Sequence, residues 1–329
     1  MARVRVIGAG PAGTAAAISA LQAGAEVDLF EKSRFPRHKV CGEFVSPEAT
    51  ELLDGFGVDW RSANPAHLRR LMLSFGARES VGNLPETAFG LSRYVLDALL
   101  LNRAIGLGVT LHREPGVPSG PTVMATGRHS AAPKGDRLFG FKAHFCGPSS
   151  DVMALYFQKG GAYVGVNAIE SGMTNVCGLA PERELAKHGF EVDAYLDGIA
   201  PVRERLVGMK RRWSWIRVGP LVFENRFSNS TKFTEYYTGD SLSFVDPFTG
   251  SGIYSALLTG RMAGRAAAAG ESIVEYGNRC KRMLARPRLV SKICRVSISI
   301  GIANWAERLI PHRWLFRLTR PERCPTVRV

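Results

Sequence analysis

The run Val4-Arg5-Val6-Ile7-Gly8-Ala9-Gly10-Pro11-Ala12-Gly13 sets the strongest constraint on what this chain can fold into. A short β-branched strand enters a G-x-G-x-x-G turn. An alanine-rich helix pattern then runs from about Pro11 to Ala23, and a second strand, Val27-Asp28-Leu29-Phe30, ends in Glu31. That order is the βαβ fingerprint of a dinucleotide site. Gly8 permits the tight turn, Gly10 lets the backbone approach a pyrophosphate, and Gly13 lets the helix pack close to the strand. The start of the helix offers unpaired N–H groups and a positive dipole end to phosphates. Glu31 stands where a carboxylate accepts hydrogen bonds from a ribose diol, and an acid there argues against a 2′-phosphate. The motif alone does not choose between FAD and NAD.

Later segments make the choice. Arg34-Phe35-Pro36-Arg37-His38-Lys39-Val40-Cys41-Gly42 follows the second strand, with a basic cluster suited to phosphates and a Cys41-Gly42 pair that can bring backbone close to a flat ring. Far along the chain come Thr238-Gly239-Asp240-Ser241 and then Phe244-Val245-Asp246-Pro247-Phe248-Thr249-Gly250-Ser251-Gly252-Ile253, opening a helix pattern that reaches about Ala269. Asp240 can bind a ribityl hydroxyl. The N–H groups of Gly252 and Ile253 can face the pyrimidine edge of a flavin, which becomes negative on reduction and is favoured by a helix N-terminus. These pieces together select FAD.

The combination of GAGPAG with Glu31, an FPRxKVCGE-like segment, Arg93 with Asp97, and GDxxxFVDPFTGxGI resembles the geranylgeranyl reductase family. That family lies among flavoproteins built like p-hydroxybenzoate hydroxylase, as do the flavin-dependent halogenases. The resemblance runs from Ala2 to about Gly270. It implies a non-covalent FAD with Gly8, Gly10, Pro11, Ala12, Gly13, Glu31, Lys32 and Arg37 at its ADP half. Arg93, Gly127 and Asp240 would serve the phosphates and ribityl chain, and Cys41, Gly42, Pro247, Gly250, Gly252 and Ile253 would flank the isoalloxazine. No second glycine fingerprint is present, so NADH or NADPH would visit as a transient reductant.

The expected fold is mixed α/β, a Rossmann-type FAD-binding domain with an inserted antiparallel β-sheet substrate domain and a C-terminal helical segment. The cofactor domain would take residues 1–70, 90–135 and 230–272, the sheet 71–89 and 136–229, and the basic tail 273–329. Ser92 to Gly106 has helical spacing, with Arg93 opening it. Val109 to Leu111 and Thr122 to Ala125 read as strands, joined only by the short Glu114 to Pro121 stretch where relatives have a longer meander. Ala154 to Phe157, Ala162 to Val166 and Thr174 to Leu179 read as the roof over the flavin. The family's Y-x-W-x-F-P signature meets Tyr163-Val164-Gly165-Val166-Asn167-Ala168 here, so only the tyrosine matches and prenyl-lipid specificity is not implied. Trp213-Ser214-Trp215-Ile216 imitates the start of a halogenase signature, then departs from it. It reads as a core or pocket-lining aromatic pair.

Composition bounds the rest. The 329 residues are 45% hydrophobic and 22% charged, ordinary for a globular chain, and carry a net charge of +14. The six cysteines have no metal-like spacing and suit free thiols in a reducing cytoplasm. Met1 leads straight into a strand, so no signal peptide is expected, and no apolar stretch reaches the length of a membrane span. No nucleic-acid module appears. Tyr276 to Arg323 mixes Lys and Arg with Ile300, Trp305, Leu309 and Trp314. Packing of amphipathic helices on the body is the first reading, and peripheral contact with an anionic membrane is the second. Three functions stay open. One is an NAD(P)H-dependent reductase acting on a C=C bond of a hydrophobic, isoprenoid or polyketide-like substrate, with Cys41 as proton donor or pocket contact. Another is a monooxygenase of aromatic or polyketide substrates. A halogenase or a non-catalytic FAD-binding protein is a more remote third.

Overall fold

The computed structural model describes residues 2–76, 78–114, 120–128, 137–221, 233–244, 246–299 and 316–321. The chain opens as the fingerprint requires, with β1 (Arg3–Ile7), α1 (Pro11–Gln22) and β2 (Glu26–Phe30). β1 and β2 run parallel with Val4 opposite Val27 and Ile7 opposite Phe30. Val4, Val6, Val27 and Leu29 are buried on one face, and Arg5 and Asp28 between them are buried on the other, so both faces of this parallel sheet are covered.

The chain then builds β3 (Phe44–Val45), α2 (Pro47–Gly55) and a long hairpin of β4 (Ala66–Phe75) and β5 (Arg78–Gly90). It returns as α3 (Arg93–Gly106), β6 (Thr110–His112) and β7 (Thr122–Met124). The roof follows as β8 (Leu138–Cys146), β9 (Val152–Phe157), β10 (Tyr163–Ala168) and β11 (Met173–Pro181). Short helices α4 (Glu182–Ala186), α5 (Val192–Asp197) and α6 (Ala200–Arg205) precede β12 (Lys210–Arg211) and β13 (Ile216–Leu221). The last strand is β14 (Tyr236–Tyr237), followed by α7 (Gly252–Ala269) and α8 (Ile273–Ser299).

Two sheets result. The parallel one has the order β14-β7-β1-β2-β6, and the other runs β12-β8-β11-β10-β9-β4-β5-β3, with β13 also on β8. The second sheet is antiparallel except where β4 meets β9. This is the mixed architecture expected from the sequence. It draws on more chain than anticipated, because β4 crosses residue 70 and β3 comes from the segment assigned to the cofactor domain. The hairpin needs that length so that Ala66 can stand opposite Gly90.

The opposite ends of the chain meet at α1 and α7. A Cβ on Gly260 would lie 2.3 Å from the Ala12 carbonyl oxygen, and one on Gly264 would lie 2.1 Å from that of Ala16. Only glycine fits at either place, and the two backbones touch one turn apart. The segment from residue 273 begins as a helix, as expected, with Tyr276, Cys280 and Leu284 buried along one side. Most of the Ile298 to Leu318 stretch lies outside the described residues.

Candidate functional site

The glycine turn has the shape its sequence predicts. Gly8 adopts a φ of +99°, and a Cβ there would lie 2.4 Å from the Ala125 carbonyl oxygen. A Cβ on Gly13 would lie 1.7 Å from the carbonyl oxygen of Gly8. Gly10 differs. The nearest atom to its absent Cβ is Arg93 Nη2 at 3.9 Å, so this glycine faces open space. Pro11 begins α1, and no side chain caps it, which leaves its first N–H groups for a ligand. Glu31 accepts from Ala9 N at 3.0 Å and Ser33 N at 2.8 Å, and Arg37 forks onto both its oxygens at 3.1 and 2.9 Å. Burial works to raise this carboxyl, but those donors outweigh it and hold it below the usual carboxylate range. Arg37 is therefore turned onto Glu31 rather than left free for phosphate, while Lys32 is exposed.

Arg93 is the side chain that approaches Gly10. Arg93, at the first position of α3, is clamped to Asp97 by bonds of 2.5 and 2.7 Å. Burial would lower the guanidinium, but Asp97 more than offsets it, so the charge is permanent. Ser92 caps the same helix by accepting from Val95 N, and Glu170 receives the Ser92 N–H at 2.7 Å from the roof. Asp240 lies within electrostatic reach of Arg128 and Arg93. It is exposed and has no hydrogen-bond or ion-pair partner among the described residues. Surrounding protein pushes its carboxyl up, and the two arginines oppose that. Gly127 neighbours it with a φ of +78° and open space where a Cβ would be. Arg128 was not anticipated from sequence.

The helix α7 starts at the far end. Ser251 provides no capping bond, and a Cβ on Gly252 would meet nothing within 4 Å. Gly252 is exposed while Ile253 is buried, so this second helix start also presents N–H groups without a capping side chain. Gly250 takes a φ of +64° to make the turn, with Pro247 at the start of the preceding short helix.

Cys41 and Gly42 sit under the roof. Asn175 Nδ2 donates to the Cys41 carbonyl at 3.1 Å, and the Cys41 Sγ accepts from Glu43 N at 3.3 Å. Gly42 lies beside Cys177, with 4.0 Å between its Cβ position and that sulfur. Burial pushes the Cys41 thiol above its ordinary value, with Arg93 pulling it back in part. The Cys177 thiol rises to about 12 by the same desolvation.

Sequence reasoning missed the group that anchors this loop. Glu43 is fully buried, and its carboxylate accepts from Lys142 Nζ, from His144 Nε2 at 2.6 Å and from Arg93 N at 2.7 Å. Its backbone is held at a φ of +53°, a strained conformation for a non-glycine residue. Burial works to raise the Glu43 carboxyl, but His144 and Lys142 prevail and hold it low. The signal was present in β8. Phe141, Ala143 and Phe145 alternate there with Lys142 and His144, so the two basic residues share one face. His38 stacks on Tyr94 at 4.7 Å and meets Trp213 at 4.9 Å, closing the outer side of the cluster. Trp215 instead packs on Phe141 and Phe145, so the tryptophan pair splits between two surroundings.

Arg320, also unanticipated, is buried against the Phe44 and Phe316 rings and lies 3.7 Å from Glu48. Its Nη2 is 3.5 Å from the Cβ position of Gly250.

A glycine turn beneath α1, an exposed Asp240, an uncapped α7 and an antiparallel roof complete a mixed α/β architecture in which a parallel Rossmann-like sheet meets an antiparallel one. FAD fits the residues present, because Gly10 leaves its Cβ side open, both helix starts lack capping side chains, and Asp240 is exposed without a partner among the described residues. A family profile described as glucose inhibited division protein A matches residues 3–55. The chain is similar to a menaquinone reductase from Mycolicibacterium smegmatis, 37% identical over 101 residues, which is 29% of this chain and 25% of that protein. The chain thus spans only a quarter of that relative's length. Among solved structures it resembles the flavin-dependent brominase Bmp2, with a TM-score of 0.78, 18% identity and coverage of 96% of this chain and 92% of that one. It also resembles a geranylgeranyl bacteriochlorophyll reductase-like protein from Thermoplasma acidophilum, with a TM-score of 0.72, 18% identity and coverage of 97% and 91%.

Proposed function

We propose that this chain binds one FAD non-covalently and reduces a C=C bond of a hydrophobic, isoprenoid or polyketide-like substrate. The observation that carries this reading is Cys41, a thiol whose pKa burial raises, placed against the roof strand that carries Asn175. A reductase of this kind needs a proton as well as a hydride, and the donor must keep its proton at neutral pH. When bound, FAD would supply the hydride, with NADH or NADPH as the reductant.

The chain's own residues do the rest. Gly10 and the start of α1 would receive the pyrophosphate, Glu31 the ribose and Asp240 the ribityl hydroxyls. The start of α7 favours negative charge at the pyrimidine edge. Leu155, Tyr163, Leu179 and Phe248 form part of an apolar cluster with the roof strands. The Cys41 S–H gives its proton to the carbon that becomes electron-rich. The geranylgeranyl reductase-like resemblance and the menaquinone reductase relative support this chemistry.

The purified protein should show a flavin spectrum that NADH or NADPH bleaches without oxygen. A candidate alkene should then gain two hydrogens by mass. Gain of one oxygen instead would replace the reading with hydroxylation, and a chain that refuses added FAD would end it. Asp240→Ala should weaken FAD binding by about tenfold or more, the scale of one hydrogen bond to a charged group, measured by flavin fluorescence titration. Cys41→Ala should retain FAD but slow turnover by roughly a hundredfold, as loss of a general acid does. Unchanged turnover would return Cys41 to a packing role.

A further inference from the structure

The helix α8 carries two unlike sides. Its inner side holds Tyr276, Cys280, Leu284 and Ser291, all buried, and Arg295 is ion-paired to Asp246 in the loop before α7. Its outer side places Leu289, Ile293 and Val296 in a line at i, i+4 and i+7, and they are 60%, 56% and 50% exposed. Three large aliphatic side chains aligned in water are an uncommon arrangement on a folded surface. Lys281, Arg282 and Lys292 are exposed on the same side and have no carboxylate partner among the described residues. The sequence contains no acidic residue from 276 to 306, in keeping with the net charge of +14.

We propose that the outer side of α8 docks on an anionic lipid surface. The two halves of the pattern fit that partner together. Headgroup phosphates and carboxylates meet Lys281, Arg282 and Lys292, while Leu289, Ile293 and Val296 enter the boundary between headgroups and acyl chains. A nucleic acid would satisfy the cations and leave the aliphatic line in water. Among the described residues no helix is long and apolar enough to cross a membrane, so the contact is one of lying on the surface. The docked helix joins the loop before α7 through Arg295 and Asp246, which sets the candidate site close to the lipid boundary where a hydrophobic substrate would reside.

The test is co-flotation of the full chain with phosphatidylcholine vesicles, with and without phosphatidylglycerol. The chain should float with the anionic vesicles, stay behind with pure phosphatidylcholine, and be released as salt is raised. Leu289→Asp with Ile293→Asp should reduce vesicle affinity more than tenfold without changing the melting temperature, because both side chains are exposed. Lys281→Glu and Arg282→Glu should each weaken it by about fivefold or more, the contribution of one cation near an anionic surface. The proposal fails if the wild-type chain ignores phosphatidylglycerol vesicles, binds both compositions equally, or is matched by these variants. None of those outcomes touches the FAD reading, because the flavin spectrum is measured without lipid.

Discussion

A Gly10→Val variant should fold, melt at the temperature of FAD-free wild-type protein and come off the column colourless. The reason is the unusual freedom of this glycine. Gly8 and Gly13 are closed in by backbone, at 2.4 Å and 1.7 Å from the nearest carbonyl oxygens. Any side chain there must push the strand and helix apart. Gly10 has φ −71° and ψ 179°, an extended conformation that valine adopts readily, and its Cβ would meet only Arg93 at 3.9 Å. The valine side chain therefore costs the empty protein little. It fills the space where a pyrophosphate would approach the start of α1. Gly13→Ala serves as the contrasting case and should fail to accumulate as folded protein, since a Cβ cannot share 1.7 Å with an oxygen. Circular dichroism melting and the flavin-to-protein absorbance ratio check both. Wild-type flavin content in a folded Gly10→Val protein would remove the dinucleotide site from this turn.

The second large effect belongs to Glu43. Replacing it by alanine removes a buried carboxylate that meets Lys142, His144 and the Arg93 N–H. Lys142 is itself fully buried, so its ammonium would be left without a counter-charge. Breaking a buried pair from one side costs about 3–5 kcal/mol, which lowers the melting temperature by about 4–7 °C in a chain of this size. A Glu43→Ala/Lys142→Met double variant should recover part of that loss, because the unpaired charge goes with its partner. If the double variant is as unstable as the sum of the two single changes, Lys142 and Glu43 are not coupled. The pH dependence has a definite sign. The folded carboxyl lies below its unfolded value of about 4.3. Its contribution to stability is full above that value and drains away as pH falls through the folded one. Wild-type protein should therefore lose stability in acid faster than a Glu43→Ala/Lys142→Met variant.

The sequence was informative where one local pattern does one job. The β1-α1-β2 unit and the α7 start at Gly252 show strand or helix periodicity joined to a glycine turn, and the α3 start at Arg93 shows helix periodicity after a serine cap. All three lie where the pattern placed them. The fold class followed because those units leave little choice of topology. The Glu43 cluster was harder to read, although Glu43 follows Cys41-Gly42 directly. Its partners lie on β8, about a hundred residues away, and only β8 pairing with β11 brings them beneath the loop. Long-range polar pairing of that kind leaves no local trace beyond the alternation in Phe141-Lys142-Ala143-His144. Arg37 shows a similar limit. Its position after β2 suggested a phosphate ligand, and the geometry ties it to Glu31, because a two-pronged carboxylate lies closer than any other partner. Arg320 comes from the other end of the chain and joins the Phe44 ring only through tertiary packing.

The close fit of Gly260 and Gly264 against Ala12 and Ala16 bears on how the molecule is born. During synthesis the first βαβ unit emerges long before α7 is made, and until then the outer surface of α1 has no neighbour. The growing chain must hold that alanine-rich helix uncovered while the whole antiparallel sheet is translated, a long interval for an apolar surface. Fragments that stop short of α7 should therefore depend on chaperones or aggregate. Release of the last helices from the ribosome would be the event that lets the cofactor half assemble.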